Sequence, residues 1–316
     1  MPPPLVVGVD GSDAGFLALD WAVDEAALHE LPLRLVHASR WERYEGRAPS
    51  LILKRPAEQV LADDIVGAAV ERAVLRNGDV DLSVQVLGDD PETVLLREAD
   101  HASALILGSR GRGAFTALLL GSVGWAVASR ARCPVIVVRG DGAGLAGTHD
   151  RILLGIGDSP QGSEAVRFAF REAAARGCTL DAVRAWRCPA HESADHPLLA
   201  GAPERDHEER ASDVLNEALR ETAGEFPAVR VQRATVEGPA HEVLARRSAT
   251  ADLLVIGARR RQTHLGFRLG RVAHATLHLA ECPVAVVPQP IRSAVYGSAP
   301  SRKVGLGFGG SEAARK

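Results

Sequence analysis

Residues 104–130 read ALILGSRGRGAFTALLLGSVGWAVASR, and the organisation of the whole chain can be worked out from them. The stretch opens with residues 104–107, an apolar run with the length of a buried strand. It closes with a segment of helical character that ends before Cys133-Pro134. Glycines stand where the strand gives way to a loop and again where the helix begins. A strand, a glycine-rich loop and a helix in this order are typical of a parallel α/β sheet.

The glycines of this stretch have a spacing that suits an anion. Gly108 is followed after two residues by Gly111, and after nine more by Gly121-Ser122. Gly108 and Gly111 can take positive φ, and they let backbone N–H groups approach a ligand without a Cβ in the way. Gly121-Ser122 would open a helix whose free N–H groups and positive dipole end attract an anion. The alternative is a glycine-rich turn followed by an ordinary helix start, with Ser122 as its N-cap.

Length and composition bound the class of protein. A chain of 316 residues is long enough for two domains. The net charge of -3 and the pI near 6.4 argue against a dedicated nucleic-acid binder, which would carry a basic excess. No apolar run has membrane-spanning length, and the amino terminus lacks a leader pattern, so we expect a cytoplasmic protein without membrane contact. Four cysteines in a chain of this size do not indicate a disulfide framework.

The chain is a tandem repeat. Apolar runs and segments with helical spacing alternate as βαβαβαβαβ, and the same order then begins again. Gly108 maps onto Gly257 and Cys133 onto Cys282 with a shift of 149 residues, whereas Gly8 maps onto Gly155 with a shift of 147. We therefore expect a first domain over residues 1–140, a flexible glycine-rich linker over 141–149, a second domain over 150–290, and a flexible tail over 291–316.

The spacing GxxG, nine residues, GS resembles the nucleotide-binding signature of the universal stress protein family, in its ATP-binding branch. Neither GxxxxGK[ST] nor a GxGxxG turn after the first strand is present. The resemblance implies an α/β fold of two tandem open parallel five-stranded sheets, each with strand order 3-2-1-4-5 and helices on both faces, similar to the adenine nucleotide α-hydrolases. It also implies that the last strands of the two repeats pair antiparallel, as a pseudo-dimer, while homodimerisation through other faces stays open.

The first repeat then provides the candidate site. In an open parallel sheet, ligands bind beyond the carboxyl ends of strands where the strand order reverses, and Asp10, Ala38 and Gly108 end three such strands. We expect Asp10 to bind the nucleoside and the backbone near Ala38 to contact the adenine edge. Asp10 alone would be interpreted as a turn residue or a cap, and Arg110 and Arg112 either screen phosphate charge or are solvated. The predicted binding residues are Val9, Asp10, Gly11, Ala38, Gly108, Arg110, Gly111, Gly121, Ser122 and Val123.

The second repeat keeps the overall pattern of the signature but has different residues at several of its positions. Arg260 replaces the second glycine, Arg271 replaces the serine, and the carboxylate of Asp158 lies one place further along than that of Asp10. We expect a weak or empty second site, although Arg271 at a helix start could itself hold a phosphate. His274 and His278 have metal-ligand spacing, but without a nearby carboxylate motif a surface or packing role is favoured.

The leading hypothesis is an ATP-binding universal stress protein that acts as a regulator or sensor in a stress response. ATP would bind with Mg²⁺, because the cradle offers N–H donors and no lysine. No His, Glu or Asp lies inside residues 108–122, so we expect no catalytic residue and at most a very slow ATPase. One alternative is an adenine-nucleotide-dependent enzyme of the same fold, which would be expected to show SGGxDS, HIGH-like or KMSKS-like motifs, and the sequence contains none of them. Another is an interaction scaffold that binds no nucleotide.

Overall fold

The computed structural model describes residues 2–39, 57–111, 120–157, 163–188, 202–258, 261–263 and 266–289. The predicted tail over 291–316 lies outside these residues. Within the described parts, ten strands form one sheet with the order β3-β2-β1-β4-β5-β12-β9-β6-β7-β8. The strands of the first half are β1 (Leu5–Gly8), β2 (Leu33–Ala38), β3 (Leu82–Leu87), β4 (Ala104–Gly108) and β5 (Val135–Val138). Those of the second half are β6 (Arg151–Gly155), β7 (Thr179–Trp186), β8 (Val231–Glu237), β9 (Leu253–Ala258) and β12 (Val284–Pro288).

Each half of the sheet is parallel and has the predicted 3-2-1-4-5 order. In the first half β1 pairs with β2 and β4, and in the second half β6 pairs with β7 and β9. The apolar runs explain this layout, since strands buried on both faces are nearly continuous in Val, Ile and Leu. A short hairpin of β10 (Arg261–Thr263) and β11 (Gly266–Arg268) lies outside the main sheet and was not predicted.

The helices cover both faces of the sheet. In chain order they are α1 (Asp13–His29), α2 (Ala57–Arg76), α3 (Pro91–Ala99), α4 (Ser122–Arg130), α5 (Gly142–Leu145), α6 (Ser163–Arg176), α7 (Ala202–Glu225), α8 (Ala240–Ser248) and α9 (Arg271–Leu279). One hydrophobic core contains buried residues of α1, α2, α6 and α7, and the other contains those of α3, α4, α8 and α9. Both cores run through the two repeats, so the repeats share their interior. No described helix is both long enough and apolar enough to span a bilayer.

The two repeats meet edge to edge, and the predicted antiparallel pairing of their last strands is confirmed. Strand β5 pairs with β12, with Ile136 opposite Ala285 and Val137 opposite Val284. Ile136 and Ala285 occupy equivalent positions, 149 residues apart, so the pseudo-two-fold axis passes between them. Both are buried, at 1% and 0% exposure. The pairing removes two apolar sheet edges that would otherwise be open to association.

A charged cluster lies at the same junction, between α1 and α6. His29 Nε2 is 3.3 Å from carboxylate oxygens of both Glu25 and Glu172. Arg176 Nη2 lies 2.6 Å from Glu25 Oε2 and 3.3 Å from Glu172 Oε2. Glu172 is the equivalent of Glu25, and Arg176 the equivalent of His29, each with a shift of 147 residues. Two buried carboxylates are thus paired with two cations across the pseudo-two-fold axis.

The segment between the repeats is packed, which corrects the expectation of a flexible linker. Residues 142–145 form α5, and Asp141 caps this helix by accepting a hydrogen bond from Gly144 N at 2.9 Å. Gly140 has φ 109°, and a Cβ there would lie 2.2 Å from Glu281 O. The buried carboxylate of Asp252 accepts from His149 N at 2.8 Å, which ties the end of the segment to the second repeat. These contacts were missed because a four-residue helix has no apolar periodicity.

Candidate functional site

A cavity of about 510 Å³ opens at the carboxyl ends of β1, β2 and β4. Strand β1 lies between β2 and β4 in the sheet. The strand order therefore reverses at β1, and a crevice forms at the carboxyl end of this strand. The cavity is lined by Gly8, Val9, Asp10, Gly15, Val36, Ala38, Pro91, Leu95, Leu107, Gly108, Arg110, Gly111, Leu120, Gly121, Ser122, Val123 and Gly124. One end is apolar, and the other is formed by glycines and the start of α4.

The turn after β1 is built by Asp10 and Ser12. Asp10 Oδ1 accepts hydrogen bonds from Ser12 N at 3.0 Å and from Ser12 Oγ at 2.6 Å. Ser12 in turn caps α1 by accepting from Gly15 N at 3.1 Å. Asp10 therefore has the turn role that its DGS context predicts, and it also lines the cavity. His37 fixes the neighbouring backbone, because its Nδ1–H donates to Val9 O at 2.8 Å.

The signature glycines are required because there is no space for a Cβ, and neither of them uses the positive φ that glycine permits. Neither Gly108 nor Gly111 is among the residues with positive φ. A Cβ on Gly108 would lie 2.5 Å from Ala14 O, and one on Gly111 would lie 2.7 Å from Asp10 Oδ2. Both distances are shorter than real Cβ contacts. The glycines let the loop after β4 lie directly against the turn after β1, which brings the two parts of the site together.

The start of α4 forms the second wall of the cavity. Gly121 is the N-cap, with φ -62° and ψ 152°, and among the described residues no side chain makes a capping hydrogen bond there. Ser122 is the first helical residue, so its interpretation as a side-chain N-cap is wrong. Ser122, Val123 and Gly124 all line the cavity. The first-turn N–H groups of a nine-residue helix are thus directed to the cavity without a side-chain cap, which favours an anion.

The second repeat supports this wall. Leu120 N donates to His278 Nδ1 at 3.2 Å, and the Trp125 ring packs against His274 with centroids 4.6 Å apart. The predicted surface or packing role of His274 and His278 is confirmed, since His274 is exposed and both rings contact the first repeat. Within the described part of the chain, the group of side chains with metal-ligand geometry is Glu25, His29 and Glu172, whose carboxylates already pair with Arg176.

The structure brings nine of the ten predicted binding residues to this cavity. The exception is Gly11, which has φ 78° and lies against Ile65 of α2. Arg112 lies outside the described residues. Sequence reasoning missed the wall supplied by α3, including Pro91 and Leu95, and the lining residues Gly8, Gly15, Val36, Leu107, Leu120 and Gly124. Gly8 and Gly15, which flank the DGS turn, were the available signal.

Three comparisons with known proteins place the chain. The model of the universal stress protein family matches residues 1–139 and 148–288. Universal stress protein Rv2005c of Mycobacterium tuberculosis is 32% identical over 304 residues, which cover 90% of this chain and 97% of that protein. Universal stress protein Rv2623 of the same organism is 28% identical over 295 residues, covering 91% of this chain and 97% of that protein.

Solved structures share the fold. A universal stress protein of Archaeoglobus fulgidus has a TM-score of 0.61 at 18% identity, and the match covers 92% of this chain and all of that one. Another universal stress protein of this organism, in complex with dAMP, is 26% identical. That match covers 43% of this chain and 97% of that one, with a TM-score of 0.34.

Proposed function

Because the chain belongs to the universal stress protein family, we propose that its first repeat binds ATP and that the chain acts as a nucleotide-dependent regulator or sensor. The uncapped start of α4 at the glycine-lined cavity supports this proposal most directly. The phosphates would lie against the N–H groups of Gly111, Ser122 and Val123, with Arg110 beside them. Mg²⁺ would enter with the nucleotide and take phosphate oxygens as ligands.

The apolar end of the cavity suits the nucleoside. Val9, Val36 and Ala38 line it, and the backbone at the ends of β1 and β2 would contact the base. Asp10 lies between this end and the glycine loop, at a place where its carboxylate would contact the ribose. The cytoplasmic location and the two-domain boundaries at residues 1–140 and 150–290 remain parts of the same proposal.

Substitution of Gly111 tests the phosphate cradle. Gly111→Val should weaken ATP binding by about tenfold or more, since a side chain there meets Asp10 Oδ2 and fills the loop. Isothermal titration calorimetry on the whole chain measures the change. Gly224→Val is the matched control, because a Cβ at Gly224 has no atom within 4 Å. Equal ATP affinity of Gly111→Val and the parent would contradict the cradle.

The rate of ATP hydrolysis distinguishes a regulator from an enzyme. The carboxylate of Asp10 is held by Ser12, and residues 108–122 contain no His, Glu or Asp to orient an attacking water. We therefore expect ATP hydrolysis slower than about one per second, the low end for typical enzymes. Phosphate release from purified chain with ATP and Mg²⁺ measures it, and faster turnover would favour the enzyme hypothesis. Mass spectrometry of ligand that co-purifies with the chain identifies the natural nucleotide.

A further inference from the structure

The second repeat has a cavity of its own, of about 750 Å³, beyond the end of β7. Its walls come from β7, α7 and the N-terminal ends of α8 and α9. Six lining residues carry cationic or titratable basic side chains, namely Arg184, Arg187, Arg210, Arg271, His207 and His241. No acidic side chain is among its lining residues in the described part of the chain. The first cavity, by contrast, is lined by one arginine and one aspartate.

The start of α8 lacks three acidic residues of its counterpart α3 and has gained one, Glu242, where α3 has Thr93. The buried pair Val94-Leu95 of α3 maps onto Val243-Leu244 of α8 with a shift of 149. With the same shift, Asp89, Asp90 and Glu92 become Gly238, Pro239 and His241. In α3 the Asp90 carboxylate caps the helix by accepting from Glu92 N at 3.2 Å.

The N-terminal end of α8 therefore differs in charge from that of α3. Pro239 is the N-cap of α8, and no side chain in the described ranges caps this helix. Gly238, Pro239, Ala240 and His241 all line the second cavity. The positive end of the α8 dipole thus lies at this cavity, and the three carboxylates that accompany the start of α3 are absent from the equivalent positions. The carboxylate of Glu242, in the first turn of α8, lies 3.8 Å from His241 Nε2 and is not among the lining residues.

Two further substitutions add positive charge at equivalent positions. Arg271 replaces Ser122 at the start of α9, where the N-cap Gly270 again gives no side-chain hydrogen bond. Arg184 replaces His37 on the strand that ends at the cavity, and the strand pairings place both at a shift of 147. Arg184 Nη1 donates to Ile156 O at 3.3 Å, the equivalent of the bond from His37 to Val9 O. A guanidinium thus takes the structural place of the imidazole and brings a permanent charge.

We propose that the second cavity binds the di- or triphosphate group of a small molecule, through arginine side chains and two helix N-termini. Guanidinium groups match phosphate oxygens in a bidentate way, and they replace the donors that the first repeat takes from its glycine loop. The side chain of Arg271 stands where the first repeat has Ser122, so charge at the start of α9 takes over the recognition of phosphate. The second repeat is thus a separate anion site with different chemistry from the first.

Calorimetry with inorganic tripolyphosphate on the whole chain tests this proposal. In the Gly111→Val background, which disables the proposed first site, we expect one tripolyphosphate per chain. Arg271→Ser and His241→Glu restore the residues of the first repeat, and each should weaken binding by about tenfold or more. Arg132→Ser is the matched control, because the 79% exposed side chain of Arg132 belongs to neither cavity. Equal affinity of Arg271→Ser and its background, or an equal loss in Arg132→Ser, would overturn the proposal.

Further titrations distinguish the source of the phosphate and keep the two sites apart. ATP that binds the Gly111→Val background more tightly than tripolyphosphate identifies a nucleotide, whereas equal affinities identify the phosphate chain alone as the ligand. Adenosine should not bind there, and adenosine binding that Arg271→Ser leaves intact would contradict an anion site. The same Arg271→Ser comparison in the parent chain reports on the second cavity even if Gly111 has no role in ATP binding. Thermal unfolding of each variant checks that the repeat is folded.

Discussion

Gly108 leaves room for a helix that packs on the end of its strand. A Cβ on Gly108 would lie 2.5 Å from Ala14 O and 2.9 Å from Gly15 N, both backbone atoms at the start of α1. Its counterpart Gly257 has a different neighbour, since a Cβ there would lie 2.8 Å from Gln289 Nε2, at the end of a flexible side chain. The same glycine in the two repeats is therefore under unequal steric constraint.

Alanine at Gly108 and alanine at Gly257 should lower the free energy of unfolding by different amounts. We expect Gly108→Ala to lower the free energy of unfolding by about 1 to 3 kcal/mol, because the backbone of α1 must move. Gly257→Ala should cost less, because Gln289 can rotate away. Chemical denaturation of both variants measures the difference, and equal losses would show that backbone crowding at Gly108 is unimportant.

Single residues of the site could be predicted only where a local sequence pattern identifies them. Asp10, Ala38 and Gly108 end apolar runs, so parallel strands were expected to bring them together. Leu95 and Pro91 belong to a third helix, and their approach to the cavity depends on a helix-to-strand register that one sequence does not reveal. For the same reason, Gly11 was predicted to bind ligand although it packs under α2.

At the scale of elements, α1 and α6 are joined by a pH-sensitive contact. Hydrogen bonds to Glu172 and Glu25 raise the pKa of His29 to about 10, from 6.5, although burial opposes this. Burial raises the pKa of Glu25, but Arg176 and His29 outweigh this and hold it at about 2. Burial and the charge of Glu25 raise the pKa of Glu172 to about 7. Arg176, whose guanidinium also lies 5.8 Å from the centre of the Trp21 ring, supplies the permanent charge.

This contact should weaken at high pH. The pKa of His29 is higher in the folded chain than in the unfolded chain, so its contribution is complete below about 6.5 and is lost as the pH rises to about 10. The raised pKa of Glu172 acts in the same direction from about 4.5 to about 7. We expect the free energy of unfolding to fall by about 1 to 3 kcal/mol between pH 6.5 and 10, between the values for exposed and buried pairs.

Replacement of His29 checks the origin of this pH dependence. His29→Gln keeps an N–H donor near the carboxylates and has no proton to lose in this range. Its stability curve from pH 6.5 to 10, measured by urea denaturation, should be flatter than that of the parent. Parallel curves for the two chains would assign the pH dependence to other groups.

Long elements could be predicted from the sequence, and short ones could not. The apolar runs of the ten main strands and the repeat shift of 147 to 149 residues were sufficient for element order, and the resemblance supplied the strand order. Helix α5 has four residues and begins with glycine, so neither periodicity nor propensity marks it. The hairpin of β10 and β11 lies in an arginine-rich loop with no alternating pattern.

At the scale of the molecule, the ten-stranded sheet depends on one antiparallel junction. Ile136 and Ala285 are fully enclosed at its centre. Ile136→Asp together with Ala285→Asp would bury two like charges opposite each other, which costs several kcal/mol. We expect the two repeats to separate while each remains folded, with a larger radius of gyration in small-angle X-ray scattering.

A double variant with the same added charge serves as the control. Leu75→Asp with Leu279→Asp places one aspartate on an exposed position in each repeat, at 80% and 51% exposure. This variant should keep the compact envelope of the parent. An unchanged envelope for the junction variant as well would show that β5 and β12 are not what holds the repeats together.

Because the two repeats are joined in one chain, they need not be identical at the pseudo-two-fold axis, whereas the two subunits of a homodimer must be. At the two-fold axis of a homodimer, each residue faces its own copy. A large side chain therefore contacts an equally large one, and a basic side chain lies next to the same basic side chain. Here isoleucine faces alanine at 136 and 285, and histidine and arginine hold equivalent places at 29 and 176. Each half therefore complements the other half better than it would complement a second copy of itself. Copies of one half released by proteolysis should prefer the opposite half as partner, and each half is free to evolve a ligand of its own.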